Sequence, residues 1–257
     1  MIDLHNHILR YVVPIHRTEP NIDIAVRMAE IAASDGIRII VSTPHLRPAD
    51  LGTDELVARL ELMRAGVARL NRVLSERGIE MEVVGGAEVQ LWESLPELAE
   101  LGLLPTLGEG RHVLIELPIV SPATYAEQVL FALQLRGYRP VIAHFERMAS
   151  APVQETRAAD LVARGIKLQV NAESLAGRRG REVQRAAQDL VRRGLVSALR
   201  SDAHDPEHSP PLLSGCRRAV NRAGGRGAFE RLTWDSPLEI IGRAGKRGPV
   251  GAAPCLD

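Results

Sequence analysis

Cysteine is nearly missing from this chain, with only Cys216 and Cys255 among 257 residues and no CxxC pair. That count argues against a disulfide framework or a thiolate metal site, and it fits a reducing compartment, so the cytoplasm is expected. Neither cysteine is read as sitting in a C-x5-R loop with a reactive thiolate. Excess charge of either sign is missing too, since Lys+Arg and Asp+Glu both number 32. No global basic field argues for nucleic acid, so an anionic substrate has to be caught locally. Long apolar runs are also lacking. The run Arg38-Ile39-Ile40-Val41 falls far short of the ~20 residues of a membrane span. The N-terminus shows no basic segment followed by an apolar one, so no signal peptide is expected.

No repeat is visible. From Gly242 onward (GRAGKRGPVGAAPCLD) glycine, proline and alanine replace any periodic pattern. One domain over residues 1–241 and a flexible tail over 242–257 are expected. Upstream, short apolar runs predict strands at 2–4, 38–42, 80–88, 112–117, 140–143, 167–170 and 195–199. Apolar residues at three- and four-residue spacing predict helices between them, most clearly over 53–77 (Leu56, Leu60, Met63, Val67, Leu70, Leu74). Others are predicted over 22–34, 125–136, 156–164 and 181–193. Gly36, Gly78, Gly137, Gly165 and Gly194 follow these helices in one grammar: SDGI, ERGI, LRGY, ARGI, RRGL. Glycine just past a helix supplies a left-handed cap, and the apolar residue after it opens a strand. Strands alternating with such helices predict parallel βαβ units, in a barrel or a doubly wound sheet.

The strand endings carry the chemistry. After the predicted strands come His5 and His7, His45, Glu88, Glu116, His144, Asn171, and finally Asp202 with His204. In a β/α barrel all these ends meet on one face, where active sites are built. Five of the eight histidines in the chain fall there. Each piece is ambiguous alone, because HxH after a strand can be two exposed polar residues and Asp is a common cap. Glu116, between Leu114-Ile115 and Leu117-Pro118, is expected to be buried, as is Glu88 in GGAEV. A buried carboxylate is costly unless paired or bound to a metal. Imidazole plus carboxylate suits Zn, Mn or Fe, with ligands enough for more than one ion. A multinuclear site of this kind hydrolyses esters by acidifying water, and two metals can clamp the oxygens of a phosphoryl group. Such a substrate also wants a forked cation. Arg147, three residues after His144, is the candidate; Arg47, Arg178 and Arg179 are weaker ones.

The pieces MIDLHNHIL, STPHL, GGAEV, LIELP, IAHFERM, LQVNAESLAGRRG and RSDAH, in this order from Met1 to about Ser236, resemble the PHP (polymerase and histidinol phosphatase) superfamily. More narrowly they resemble the bacterial manganese-dependent protein-tyrosine phosphatases of capsular and exopolysaccharide synthesis. The resemblance implies a distorted seven-stranded (β/α)7 TIM-like barrel. It implies Mn2+, with Fe or Zn as alternatives, in two or three ions on His5, His7, His45, Glu88, Glu116, His144, Asp202 and His204. It also implies Arg147 as the phosphate-binding residue, hydroxide attack on phosphotyrosine without a phosphocysteine, and a phosphotyrosyl protein substrate such as a bacterial tyrosine kinase.

Two departures stand out. Where the family pattern follows its first motif with LPGxDDG, whose second Asp ligates a metal, this chain reads LRYVVPIHRTEP with Pro14 at that position. His16 or Glu19 is the candidate substitute. Where the family places an arginine shortly after SDAH, this chain has DPEHSPP, with His208 as the available replacement. These changes keep two rivals open: a small-molecule phosphoesterase of the sugar or histidinol phosphate type, and a catalytically weak regulatory protein that keeps the barrel to bind a partner.

Overall fold

The computed structural model describes residues 1–15, 19–118, 125–148 and 152–244, with the side chains of 152–155 excepted. Most of the expected tail, 245–257, lies outside the described residues, as does His16.

Nine strand segments are present among the described residues: β1 (Ile2–Asn6), β2 (Ile39–Ser42), β3 (His45–Leu46), β4 (Glu82–Gly85), β5 (Glu88–Gln90), β6 (His112–Glu116), β7 (Arg139–Ile142), β8 (Lys167–Asn171) and β9 (Ala198–Arg200). They pair in parallel in two sheets, β1-β2-β4 and β3-β5-β6-β7-β8-β9. The first and last strands also meet. Asn6 bridges Ala203, the His7 amide donates to the Ala203 carbonyl at 2.9 Å, and the Asp202 amide donates to the His5 carbonyl at 3.0 Å. The result is a mixed α/β fold in which parallel sheet curls into a half-barrel.

The predicted third strand, 80–88, is broken into β4 and β5. Gly86 stands at the break, where a Cβ would lie 2.9 Å from Leu107 Cδ2 and 3.1 Å from Val41 Cγ1, so a larger residue would have to push those side chains aside. The predicted seventh strand, 195–199, is shifted, since β9 runs on to Arg200. The five capping glycines all have positive φ, between 69° and 89°, and the helices before them, Ile22–Ser34, Thr53–Glu76, Ala126–Leu135, Pro152–Ala163 and Arg181–Arg192, match the predicted ones to within a few residues. A small apolar cluster including Ile2, Leu4, Val41, Leu114 and Val141 fills the inside of the sheet, while a larger one packs sheet against helices. Below it, the buried His112 donates its Nδ1–H to the Ile240 carbonyl at 2.9 Å, tying β6 to the last helix.

Candidate metal centre

The eight predicted ligand residues stand in one cluster, most of them at or just past strand C-terminal ends, with His45 and Glu88 opening the short strands β3 and β5. Glu88, buried at the start of β5, lies at its centre. Its Oε2 is 3.2 Å from His5 Nε2, 3.6 Å from His7 Nε2 and 2.8 Å from His45 Nδ1, and its Oε1 is 3.1 Å from His144 Nε2. On one side, Asp202 Oδ1 lies 3.3 Å from His7 Nε2 and 3.5 Å from His5 Nε2. On the other, Glu116 Oε1 is 3.6 Å from His144 Nε2. Unlike Glu88, Glu116 is not fully buried; its side chain keeps 26% exposure because it ends β6 at the mouth. The His204 ring stacks on His7 with centroids 4.0 Å apart.

The donor set fits a cation. Within 3.0–3.5 Å of His5 Nε2 stand His7 Nε2, Glu88 Oε2 and Asp202 Oδ1. Two neutral imidazoles can offer few protons to so many lone pairs, whereas one cation satisfies them together. Among the described residues three triads have ligand atoms within 4.8 Å of one another: His5/His7/Asp202, His45/Glu88/Glu116 and His7/His45/His204. Burial alone would raise the carboxyl pKa of both acids. His5, His144 and His45 instead hold Glu88 well below its usual range, and Arg200 and His7 do the same for Asp202. Burial also drives His7 well below the ordinary imidazole value, which suits a neutral ligand.

Backbone strain marks the same place. Among the described residues only His144 (φ 36°) and Asp202 (φ 60°) adopt left-handed conformations without being glycine. Such conformations cost free energy and persist where surrounding structure enforces them.

Several supporting residues went unread in the sequence. Asp3, buried behind the HxH, accepts from the Ser201 amide (2.9 Å), Ser201 Oγ (2.5 Å) and Asn6 Nδ2 (3.0 Å), so it locks the first strand to the loop carrying Asp202. Glu146, also buried, accepts from the Asn171 amide at 3.0 Å and Ser174 Oγ at 2.7 Å, fixing the turn that carries Arg147. Two buried acids spaced one or two residues from histidines in DLHNH and HFER were the available signal.

Arg147 is half-buried on the turn after His144; its amide donates to the His144 carbonyl at 2.9 Å, and its guanidinium has no hydrogen-bond or ion-pair partner among the described residues. Arg178 and Arg179 face Glu173 at 3.7 and 3.3 Å, and Arg47 is exposed. Pro14 and Glu19 are exposed, and His208 is 87% exposed against Asp205. Cys216 and Arg222 do stand at the C-x5-R spacing of thiolate phosphatases. The segment after the cysteine is helix (Arg217–Gly224) rather than a phosphate-cradling loop, and the thiol is 2% exposed with its pKa pushed up to about 12 by burial. It is no nucleophile. Cys255 lies outside the described residues.

The sequence profile "Capsular polysaccharide synthesis, CpsB/CapC" matches residues 1–242. The chain belongs to the CpsB/CapC family. Among its CpsB/CapC relatives, the tyrosine-protein phosphatase YwqE of Bacillus subtilis is 32% identical over 206 residues, 80% of this chain and 78% of its own. A crystal structure from work on Bacillus subtilis YwqE and Streptococcus pneumoniae CpsB, described as unique metal-dependent tyrosine phosphatases, superposes with a TM-score of 0.82. It is 28% identical and covers 95% of each chain. A histidinol phosphate phosphatase from Lactococcus lactis has a TM-score of 0.51 at 14% identity, covering 87% of this chain and 92% of its own, and shares the fold alone.

Proposed function

We propose that this CpsB/CapC chain is a metal-dependent protein-tyrosine phosphatase. The observation that carries the reading is the cluster itself: five histidines and three carboxylates converge at the strand ends, with Glu88 at the centre. The names of its relatives support the reaction class.

His5, His7 and Asp202 would hold one ion, and His45, Glu116 and His144 a second, with Glu88 between them. His204 adds a third position with His45 and His7, beside the Glu88 and Asp202 carboxylates. Mn2+ is the expected metal, with Fe or Zn as alternatives, in two or three ions. When bound, such ions supply a Lewis acid that makes water nucleophilic near neutral pH and neutralises phosphoryl charge. Arg147 forks onto the phosphoryl oxygens and orients the phosphorus toward the cluster. Asp3 and Glu146 hold the strand ends so that the ligands keep their aim. The nine segments are read as seven barrel strands, with β2–β3 and β4–β5 each a single bent strand and the Asn6–Ala203 bridge closing the ring. Residues 1–241 form the catalytic domain and 242–257 a tail. The substrate is phosphotyrosine on a cytoplasmic protein, with a bacterial tyrosine kinase of polysaccharide synthesis as the expected partner.

Metal analysis of the purified chain, joined to hydrolysis of phosphotyrosyl peptide, histidinol phosphate and sugar phosphates with Mn, Fe and Zn, tests this. Metal-stimulated turnover of the peptide, abolished by His7→Ala, is expected. Turnover of the small esters alone would establish the small-molecule rival. Absence of turnover with metal loaded would leave the regulatory one.

A further inference from the structure

Arg200 closes β9 and is completely buried. Its Nη1 lies 3.2 Å from Asp202 Oδ1, while Nε, Nη1 and Nη2 make no hydrogen bond among the described residues. A buried guanidinium is costly without an anion beside it, so Asp202 is the group that compensates it. Across the sheet Arg200 is in register with Asn171 of β8, whose Nδ2–H donates to the other carboxylate oxygen, Oδ2, at 3.1 Å. Two adjacent strand ends therefore hold one oxygen each.

The two oxygens are not equivalent. Oδ1, the one beside Arg200, is also the one that faces His7 Nε2 at 3.3 Å and His5 Nε2 at 3.5 Å. An ion held by His5, His7 and Asp202 would share this oxygen with the guanidinium. Two cations drawn to one buried oxygen repel each other with little water to screen them. Arg200 is tied to the chain and cannot leave. We propose that Arg200 is a positioning residue that competes with the metal for Asp202: it neutralises and aims the carboxylate in the metal-free chain, and it limits the affinity of the ion that binds there. The inference rests on the metal-dependent reading above. It makes that ion the exchangeable one, so that occupancy follows the metal supply.

Binding of Mn2+ by calorimetry and thermal melting of the metal-free chain are compared for wild type, Arg200→Met, Arg200→Lys, Asp202→Asn and the Arg200→Met/Asp202→Asn double variant. Arg200→Met is expected to melt lower without metal yet to bind Mn2+ about tenfold or more tightly, within the usual range of coupling between two ligands. Arg200→Lys, which keeps the charge, stays near wild type in both readouts. In the Asp202→Asn background the Arg200→Met change tightens binding less, because the competition for a charged oxygen is gone and only the direct repulsion between guanidinium and ion remains. A folded Arg200→Met chain that binds Mn2+ no more tightly than wild type overturns the inference, as does equal tightening in the Asp202→Asn background. If Arg200→Met does not fold without metal, Arg200→Gln removes the charge while keeping a polar side chain and decides the question by the same measurement. Wild-type protein that binds no Mn2+ overturns the proposed function together with this inference, whereas normal wild-type binding with unshifted Arg200 variants overturns the inference alone.

Discussion

Replacing Glu88 by Gln changes one charge at constant shape, and it separates a metal centre from a merely packed polar cluster. Glu88 is 1% exposed and lies within 3.6 Å of His5, His7, His45 and His144. If the cluster holds ions, removing the carboxylate that stands between the two triads leaves the bound cations short of an anion. Breaking a buried charge pair by deleting one partner costs about 3–5 kcal/mol, or roughly two to four decades in an equilibrium constant. In the metal-free chain His5, His144 and His45 hold Glu88 ionised against the cost of burial, so a neutral amide there loses that attraction and lowers stability. The expected signature is thus a melting temperature without metal below wild type, a lost metal-induced rise in melting temperature, and kcat/KM for a phosphotyrosyl peptide down by about a thousandfold or more. Elemental analysis after gel filtration should show metal lost. A Glu88→Gln chain that retains wild-type metal content and turns over within tenfold of wild type refutes the central role of this residue. A chain that unfolds without metal would instead show that the carboxylate serves the scaffold.

Arg147→Ala should leave metal content unchanged and lower kcat/KM by about one to two decades, the worth of a charged hydrogen bond of about 1.5–3 kcal/mol; unchanged steady-state kinetics would remove it from the site. His112 makes a pH prediction remote from the centre. Burial lowers its pKa from 6.5 to about 4 against the opposing hydrogen bond to Ile240. The folded chain therefore keeps this ring neutral where the unfolded chain protonates it, so its stability is fully present above pH 6.5 and drains away as pH falls toward 4. The loss is at most about 3 kcal/mol. Chemical denaturation of His112→Gln against wild type between pH 4 and 7 should show a flatter acid limb in the variant, and parallel curves would refute it.

The parts of this molecule that the sequence makes legible are those set by local rules. Each capping glycine ends a helix by a backbone requirement confined to a few residues, so SDGI and its four counterparts place five helix ends correctly. The ligand positions are legible for a related reason: each is the residue where an apolar run stops, and parallel strands stop on a common face. Glu116 shows the limit of that logic. Its apolar neighbours face the interior, but as the last residue of β6 it reaches the mouth and stays partly exposed. The break at Gly86 is hidden although Gly85-Gly86 interrupts the apolar run, because the run resumes at Ala87 and reads as one strand.

What local pattern cannot convey is support between strands distant in sequence. Asp3 and Ser201 are 198 residues apart and bond directly. In DLHNH the aspartate reads as one more polar residue of the first strand, although it bonds the loop that carries Asp202. Arg200 is the sharper case. Following LVSAL, a charged residue looks like the exit from a strand into solvent, and the same inference gave a strand ending at residue 199. In the fold β9 runs one residue further and turns the guanidinium inward against Asp202. An arginine that the chain exposes needs no partner, whereas one completely buried demands an anion. The nearest anion here is a ligand candidate. The reading of a single residue as loop or strand thus decides whether the centre is a set of donors awaiting ions or one that already contains a cation of its own.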